Sequence, residues 1–548
     1  MWQQNYTPIA DSLGLSALVA AIPIFTLLFL LGVKRKPAWK SSLAGLGAAA
    51  VVALAVYGMP VGKLLAAVTY GAAFGLFPIG WVVFAAILLY RVTLESGKFE
   101  IVKDSIGNLT GDRRMQTLLI AVAFSGFIEG AAGFGTPIAV AGAMLAGLGF
   151  SPFYAAGLCL LANTAPVSFG SIGTPIITLA VTTGLPIDRL SAGVGRICSP
   201  LALIVPAYVV LVMGGWRAVR GVLPAVTVCG IAFAGAQFYI SNFVSVQLTG
   251  ILSSLAAMAS LVLLLKVWKP SDVFELGEQH GGGNNPRAAV APARHHTAGE
   301  LFIAWSPYLL LVVFVLLWGY KPTQQYLNSV SKVFAWPALH NTIQRVPPVV
   351  AKASPYAAMY NFNWLSASGT ACLLAAVVSS FLVGLNLQQL GKAFVHTAKQ
   401  LALAELTLAA VVGLAFLLNY SGATATLGLA FAATGVLFPF FSAWLGWLGV
   451  FLTGSDTSAN ALFGNLQVVT AGKLGMNEVL MASANSSGGV VGKMISLTSV
   501  AVAAAATSMA SKDESSLFRF TLKHSLLMTA LIGLIVMFYA YVMPGWAP

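Results

Sequence analysis

The chain has 548 residues, of which 58% are hydrophobic and only 8% charged, and its formal net charge is +13. A soluble domain carries about 25% charged residues, so this composition excludes an ordinary soluble protein. Apolar runs long enough to cross a bilayer recur along the sequence, which predicts an all-α polytopic membrane protein. The Lys and Arg residues lie between these runs, where they orient membrane helices, so the positive charge does not indicate nucleic-acid binding.

The sequence contains no arrangement typical of an enzyme. The four Cys lie in apolar segments without metal-type spacing, and the six His are scattered. No nucleophile–base pair or phosphate-binding loop is present. We therefore expect a protein that is not an enzyme, with no catalytic residue, no metal site and no cofactor.

The first apolar run predicts a scaffold helix within residues 1–41. No Lys or Arg precedes this helix, whereas three basic residues follow it at 34–36. The positive-inside rule therefore places the N-terminus outside the cell. The same rule, followed to the last predicted helix at 522–543, places the C-terminus outside as well.

Residues 42–220 predict the first of two related units. A single helix over 116–149 would be much longer than a bilayer requires, and its middle is rich in Gly and contains Pro. This pattern predicts a re-entrant hairpin that turns near 130–137, because irregular backbone is tolerated at that depth only where protein or water surrounds it. The next run, 154–180, predicts a helix broken by its Asn-Thr-Ala-Pro sequence.

Residues 221–364 separate the two units. They contain apolar runs that predict central helices, a polar Gly-rich segment at 269–300 and a long segment at 320–363. We expect the first of these segments to be a cytoplasmic linker and the second to be an external loop.

Residues 365–548 predict the second unit, with a hairpin at 440–475 and a broken helix at 479–505, which we expect to be interrupted at its Asn-Ser-Ser-Gly sequence, 485–488. The spacing resembles that of the first unit, because Asn163 follows Gly130 by 33 positions and Asn485 follows Gly454 by 31. Charge distribution gives the second unit the opposite orientation. The sequence therefore predicts about twelve transmembrane helices plus two re-entrant hairpins, arranged as inverted-topology repeats with broken helices.

Two broken helices and two hairpin tips that meet within the membrane would form a substrate site. Helix N-termini attract an anionic carboxylate, glycines allow close approach to the backbone, and hydroxyl and amide groups supply neutral hydrogen bonds. The candidate substrate-binding residues are Gly130, Gly133, Gly135, Thr136, Asn163, Thr164, Ser168, Thr457, Ser458, Asn485, Ser486, Ser487, Gly488, Lys493 and Arg196. The alternative is that the small residues only allow close packing of helices.

Ionisable side chains within the membrane are costly and therefore indicate function. We expect Lys493 or Arg196 to offset the substrate carboxylate. Glu129 or Asp456 would take up a coupled proton, because burial disfavours the charged form of a carboxyl group. The alternative is a structural salt bridge, for example between Asp456 and Lys493. Glu405 is expected near the cytoplasmic end of its helix, at the membrane interface.

Four segments resemble the bacterial L-lactate permease family. They are EGAAGFGTPIAVAGAMLAGLGF, YAAGLCLLANTAPVSFG, WLGVFLTGSDTSANALFG and NSSGGVVGKMIS, and the opening MWQQNY and the late FRFTLKHSLL are also similar. The resemblance implies proton-coupled uptake of 2-hydroxymonocarboxylates, chiefly L-lactate, with D-lactate and glycolate as relatives. It further implies the bacterial cytoplasmic membrane and kinship with the ion-transporter superfamily, in which a mobile transport domain moves against a scaffold, often within a homodimer.

Two other functions remain open from the residues alone. Ser, Thr and Asn side chains and unwound carbonyls also suit Na⁺, so a sodium-coupled carboxylate carrier is an alternative. A passive anion channel would need a continuous polar path. The polar residues instead form two clusters, which favours an occluded site.

Overall fold

The computed structural model describes residues 1–107, 109–133, 135–272, 274, 296–350, 352–510 and 513–547, so most of the linker predicted at 269–300 lies outside the described residues. The described residues are predominantly helical, which confirms the predicted all-α class. Helices satisfy their backbone hydrogen bonds internally except at their ends, as the membrane interior requires.

The helices of the first half have these bounds: α1 (Leu13–Gly32), α2 (Ala38–Ala55), α3 (Val61–Phe74), α4 (Trp81–Glu95), α5 (Lys98–Gly107), α6 (Arg113–Gln116), α7 (Ser125–Ala131), α8 (Thr136–Gly147), α9 (Pro152–Ala162), α10 (Gly170–Thr183), α11 (Ile187–Gly221), α12 (Leu223–Phe243) and α13 (Val246–Val267). Those of the second half are α14 (Ala298–Gly319), α15 (Lys321–Asn328), α16 (Ser368–Leu382), α17 (Leu387–Ser421), α18 (Ala423–Phe431), α19 (Phe438–Thr453), α20 (Asp456–Leu474), α21 (Glu478–Gly492), α22 (Leu497–Ala506) and α23 (Glu514–Tyr541). Shorter π and 3₁₀ segments are Gly75–Gly80, Thr117–Phe124, Val167–Phe169, Ala432–Leu437, Lys493–Ile495 and Pro544–Trp546.

Within the described ranges, ten helices are long and apolar enough to cross a membrane, and up to twelve if each of two bent pairs is one span. The upper number equals the predicted count, but the sets of helices differ: Ala423–Thr453, which contains the first limb of the hairpin predicted at 440–475, is long enough to span, and the helix Ser368–Leu382 is shorter than a span. The bent pairs are Pro152–Ala162 with Val167–Thr183, at 69°, and Glu478–Ile495 with Leu497–Ala506, at 44°. They are the two broken helices that the sequence predicts. The inverted relation of the two units stays a prediction.

Helical hairpins are present at both predicted positions, and their re-entrant character stays a prediction. In the first, the helical segment that ends with α7 is followed by a turn and by α8. Gly133 and Gly135 in this turn have φ values of +64° and +80°, a left-handed conformation that glycine adopts without steric cost. In the second hairpin, Gly454 has φ +74° and Ser455 caps α20 through a bond from the Ser458 backbone N–H. The glycines therefore fix where both hairpins turn.

The second helix break is not where the sequence predicts it. The Asn485–Gly488 segment lies inside the uninterrupted helix α21, and the chain breaks instead at the 3₁₀ turn Lys493–Ile495. Gly488 is a packing residue, because a Cβ there would overlap the carbonyl oxygen of Ala443 on α19. The expected break at Asn485, Ser486, Ser487 and Gly488 is therefore wrong, and for Gly488 the alternative of close helix packing holds.

The helices form two groups that meet at the site. In one group, α17 packs against α2, α3 and α4. In the other, α21 packs against α11, α19, α20 and α23, while α10 packs against α13 and α20. Both hairpins and both broken helices belong to the second group. The cavity described below lies between α17 and the interruptions of this second group.

The segment predicted as an external loop, 320–363, is partly ordered into strands. The strands are β1 (Trp2–Gln3), β2 (Lys332–Ala335), β3 (Ile343–Arg345), β4 (Ser354–Pro355) and β5 (Met359–Phe362). β1 pairs in parallel with β3, β3 pairs antiparallel with β4, and β2 pairs antiparallel with β5. The N-terminus and this segment therefore lie on the same face of the molecule. That this face is external stays a prediction.

Candidate functional site

An ion pair joins the two halves of the chain at the centre of the second group of helices. Lys493 Nζ, at the second helix break, lies 2.8 Å from Glu129 Oε1 on the first hairpin. The Glu129 side chain is 3% exposed and that of Lys493 is 10% exposed. Glu129 Oε2 also accepts a hydrogen bond of 3.1 Å from Asn163 Nδ2 at the first helix break. Lys493 is thus paired with Glu129, and the suggested pairing of Lys493 with Asp456 is wrong.

Asp456 occupies a different electrostatic position. It begins α20 and is buried, and its Oδ2 accepts a hydrogen bond of 2.6 Å from Ser486 Oγ. Its Oδ1 is buried without a hydrogen-bond partner, and Asp456 forms no ion pair with any residue in the described part of the chain. Gly489 makes room for this carboxyl group, since a Cβ there would overlap Oδ1. Of the two acids, Asp456 is therefore the one without direct compensation of its charge.

Side-chain amide groups form a hydrogen-bond network that reaches Asp456 through Ser486. Asn460 Nδ2 donates to Ser486 Oγ at 3.2 Å and to the Pro175 carbonyl at 3.1 Å. Asn485 Nδ2 donates to Asn460 Oδ1 at 2.9 Å, and Gln467 Nε2 donates to Asn485 Oδ1 at 3.1 Å. Asn485 and Ser486 therefore act as supports held by other protein groups. Sequence reasoning missed Asn460 and Gln467, although both lie on the helix that Asp456 begins.

A cavity of about 250 Å³ adjoins this cluster. Three helices begin at or beside its wall: α8 after Gly135, α20 after Ser455, and α22 after Ser496. The polar lining residues on this side are Thr453, Ser455, Thr457, Ser458, Lys493, Thr498 and Ser499. Lys493 is the one cation among the described lining residues. Helix N-termini carry partial positive charge and free N–H groups, so this wall suits a small anion.

A smaller space of about 50 Å³ lies between the two acids. It is lined by Glu129, Asp456 and Lys493, together with residues of both helix interruptions. It shares Gly454, Ser455, Thr457 and Lys493 with the larger cavity. A ligand at Lys493 would therefore lie next to both carboxyl groups.

The structure brings some of the predicted substrate-binding residues to this region and holds others elsewhere. The residues at the site, in its small spaces or in its supporting network are Gly133, Gly135, Thr136, Asn163, Thr164, Ser168, Thr457, Ser458, Asn485, Ser486, Ser487 and Lys493. Gly130 packs against the backbone of α13, where a Cβ would lie 2.6 Å from Ile251 N.

Arg196 does not reach the site. Its Nε donates a hydrogen bond of 2.8 Å to Asn242 Oδ1, and its guanidinium also contacts the Trp546 carbonyl near the end of the chain. Of the two cations considered for the substrate carboxylate, only Lys493 borders the cavity. The sequence alone could not distinguish Lys493 from Arg196, because both lie within apolar stretches.

A helical membrane protein in which two hairpins and two broken helices surround a polar site has the architecture of a membrane transporter. Comparison with known proteins identifies the family of transporters to which the chain belongs. The chain belongs to the L-lactate permease family, whose sequence profile matches residues 16–543. It is 45% identical over 567 residues to an L-lactate permease of Bacillus subtilis, with all of both chains covered. It is 44% identical to an L-lactate permease of Salmonella typhimurium, with all of both chains covered. It is 43% identical to a glycolate permease of Escherichia coli, with 99% of each chain covered.

Proposed function

We propose that this protein carries L-lactate and related 2-hydroxymonocarboxylates, including D-lactate and glycolate, into the cell together with protons. It would do so across the bacterial cytoplasmic membrane. The substrates named for its relatives, L-lactate and glycolate, support this class of ligand. The observation that carries the proposal is the position of Lys493, which borders a cavity beside three helix N-termini and is paired with a buried acid.

The substrate carboxylate would bind at Lys493 and the N-termini of α20 and α22. Each of these N-termini keeps backbone N–H groups that have no acceptor within the helix. The hydroxyl groups of Thr457, Ser458 and Thr498 line the same cavity and are suited to hydrogen-bond the 2-hydroxyl group. Neutral hydrogen bonds of this kind select the 2-hydroxy acid and still allow its release.

Asp456 would hold the coupled proton. Glu129 is compensated by Lys493 and Asn163, so it is suited to remain charged. Asp456 has a hydroxyl donor on one oxygen and no partner on the other among the residues described. A buried carboxyl group without a cation is most stable when neutral. Protonation of Asp456 would let the site accept a substrate anion without an additional negative charge, which couples the two fluxes.

Alternating access would then follow from movement of the hairpins and broken helices against α17. The cavity lies between these two groups of helices, so their relative movement would open it to one side or the other. An anion that binds together with a proton leaves the net charge of the site unchanged, so the movement carries no additional charge into the membrane.

The experiment is uptake of labelled lactate into proteoliposomes with an acidic exterior. We expect accumulation above the external concentration, its loss with a protonophore, and stronger competition by glycolate than by acetate, which lacks the 2-hydroxyl group. Lys493→Gln should abolish uptake. Lys473→Gln, which removes the same charge from an exposed position of α20, should retain it.

Two outcomes would contradict the proposal. Accumulation that requires a sodium gradient and survives the protonophore would indicate the sodium-coupled carrier. Equilibration without accumulation would indicate a passive pathway.

A further inference from the structure

An acid borders the larger cavity from the opposite group of helices. Glu405 lies on α17 and lines the cavity together with Thr407 and Leu408. It is the one carboxyl group among the described residues of this lining. The sequence predicts that Glu405 lies near a helix end, but α17 continues on both sides of it, and Glu405 lies at the cavity wall. Its position at the membrane interface stays a prediction.

The Glu405 carboxyl group occupies a place that the fold keeps open for it. A Cβ on residue 80 would overlap Glu405 Oε2, so glycine at this position is what allows the carboxyl group to lie against the interruption between α3 and α4. Oε1 is buried and has no hydrogen-bond partner within the described ranges. No ion pair compensates Glu405 in this part of the chain either. A side chain that only held helices together would be paired or apolar.

The two walls of the cavity therefore have opposite electrostatic character. Lys493 and the helix N-termini attract a carboxylate to one wall. Glu405 is only half-buried, unlike the buried Asp456, so water in the cavity can solvate its carboxylate group, which presents negative charge from the other wall. A monocarboxylate such as lactate, bound with its carboxylate at Lys493, has only its methyl group left to face Glu405. A ligand with a second carboxylate would bring that group towards Glu405, and the two negative charges would repel each other.

We propose that Glu405 is a specificity-determining residue that restricts the site to monocarboxylates by repelling a second anionic group. The inference rests on the proposed function, since it takes Lys493 as the position of the substrate carboxylate. It adds a role for α17, which would contribute to selectivity as well as to the scaffold.

Tartronate is the matched probe, because it is lactate with the methyl group replaced by a carboxylate. Competition of tartronate and of glycerate against labelled lactate is measured for the wild type, Glu405→Gln and Glu405→Asp. Glycerate carries a neutral hydroxymethyl group at the same position and controls for size and polarity. We expect Glu405→Gln to improve inhibition by tartronate relative to glycerate by about tenfold or more, and Glu405→Asp to keep the discrimination. Glu95→Gln, which removes an acid from α4 outside the cavity lining, should leave the ratio unchanged.

An unchanged tartronate-to-glycerate ratio in Glu405→Gln would overturn the inference. If Glu405→Gln does not transport, the same ratio is measured by competition for lactate binding to the purified protein. Gly80→Ala supplies a second variant, because its methyl group displaces the Glu405 carboxyl group, and it should shift the ratio in the same direction. Failure of the proposed function is separate, since in that case the wild type would not accumulate lactate.

Discussion

The pairing of Lys493 with Glu129 predicts that removing the acid strengthens substrate binding. The two side chains are 2.8 Å apart and almost completely buried. Breaking such a pair leaves a lone buried charge at a cost of about 3–5 kcal/mol. In Glu129→Gln the lone charge is that of Lys493, and a bound lactate carboxylate would compensate it. Recovery of only about 1.4 kcal/mol of this cost is a tenfold gain in affinity, so we expect lactate to bind at least about tenfold more tightly to Glu129→Gln than to the wild type.

The assay is equilibrium binding of labelled lactate to purified protein, together with thermal unfolding with and without lactate. Lys493→Gln should lose both stability and binding, because it leaves Glu129 uncompensated and removes the cation. The double variant Glu129→Gln/Lys493→Gln should recover most of the stability but none of the binding. Lys473→Gln serves as the control. Weaker lactate binding by Glu129→Gln, or wild-type binding by Lys493→Gln, would refute the reasoning.

Three further predictions follow from single contacts. Asp456→Asn removes the proposed proton carrier, so accumulation driven by a pH gradient should be lost while lactate–lactate exchange continues; both are measured in proteoliposomes. Gly488→Ala places a methyl group against the Ala443 carbonyl oxygen of α19 and should lower the free energy of unfolding by about 1–3 kcal/mol, measured as lower thermal stability. Gly235→Ala is the control, because a Cβ there enters open space and should be neutral or slightly stabilising. Hydrogen bonds from Arg114 hold the pKa of Asp272 below its ordinary value of 3.8. The wild type should therefore be more stable than Asp272→Asn by a constant amount above about pH 5, and this difference in thermal stability should decrease as the pH falls through the lowered pKa.

Each of these predictions has an outcome that contradicts it. Gradient-driven accumulation by Asp456→Asn would assign the proton to another group. Equal stability of the two glycine variants would mean that α21 and α19 can separate at Gly488 without loss. A stability advantage of Asp272 that increases on acidification would reverse the sign of its contribution.

The sequence predicts the hairpins well because their turns depend on local chemistry. Gly133, Gly135 and Gly454 adopt left-handed backbone angles that other residues adopt only at a cost. Glycines of this kind within a long apolar run therefore predict a turn. The first helix break, at Asn163, is likewise marked by a proline three residues later, which limits helix continuation.

The second break could not be located from sequence because small residues have two uses in a membrane. The Asn485–Gly489 segment contains the residue types of a break, but its glycines let α21 pack closely on α19 and approach Asp456. Whether such a segment interrupts a helix or allows close packing depends on the residues that face it on neighbouring helices, and these residues are distant in sequence. The same holds for Arg196 and Glu405, whose roles depend on which side of a helix meets the cavity.

The central claim is that a small monocarboxylate binds at Lys493, between the hairpin tips and the second helix break. A cryo-electron microscopy structure of the lactate-bound protein tests it most directly. The account predicts density for lactate with its carboxylate beside Lys493 Nζ and the first turns of α20 and α22. Lactate bound elsewhere, for example at Arg196, with the Lys493–Glu129 cluster unchanged, would contradict it.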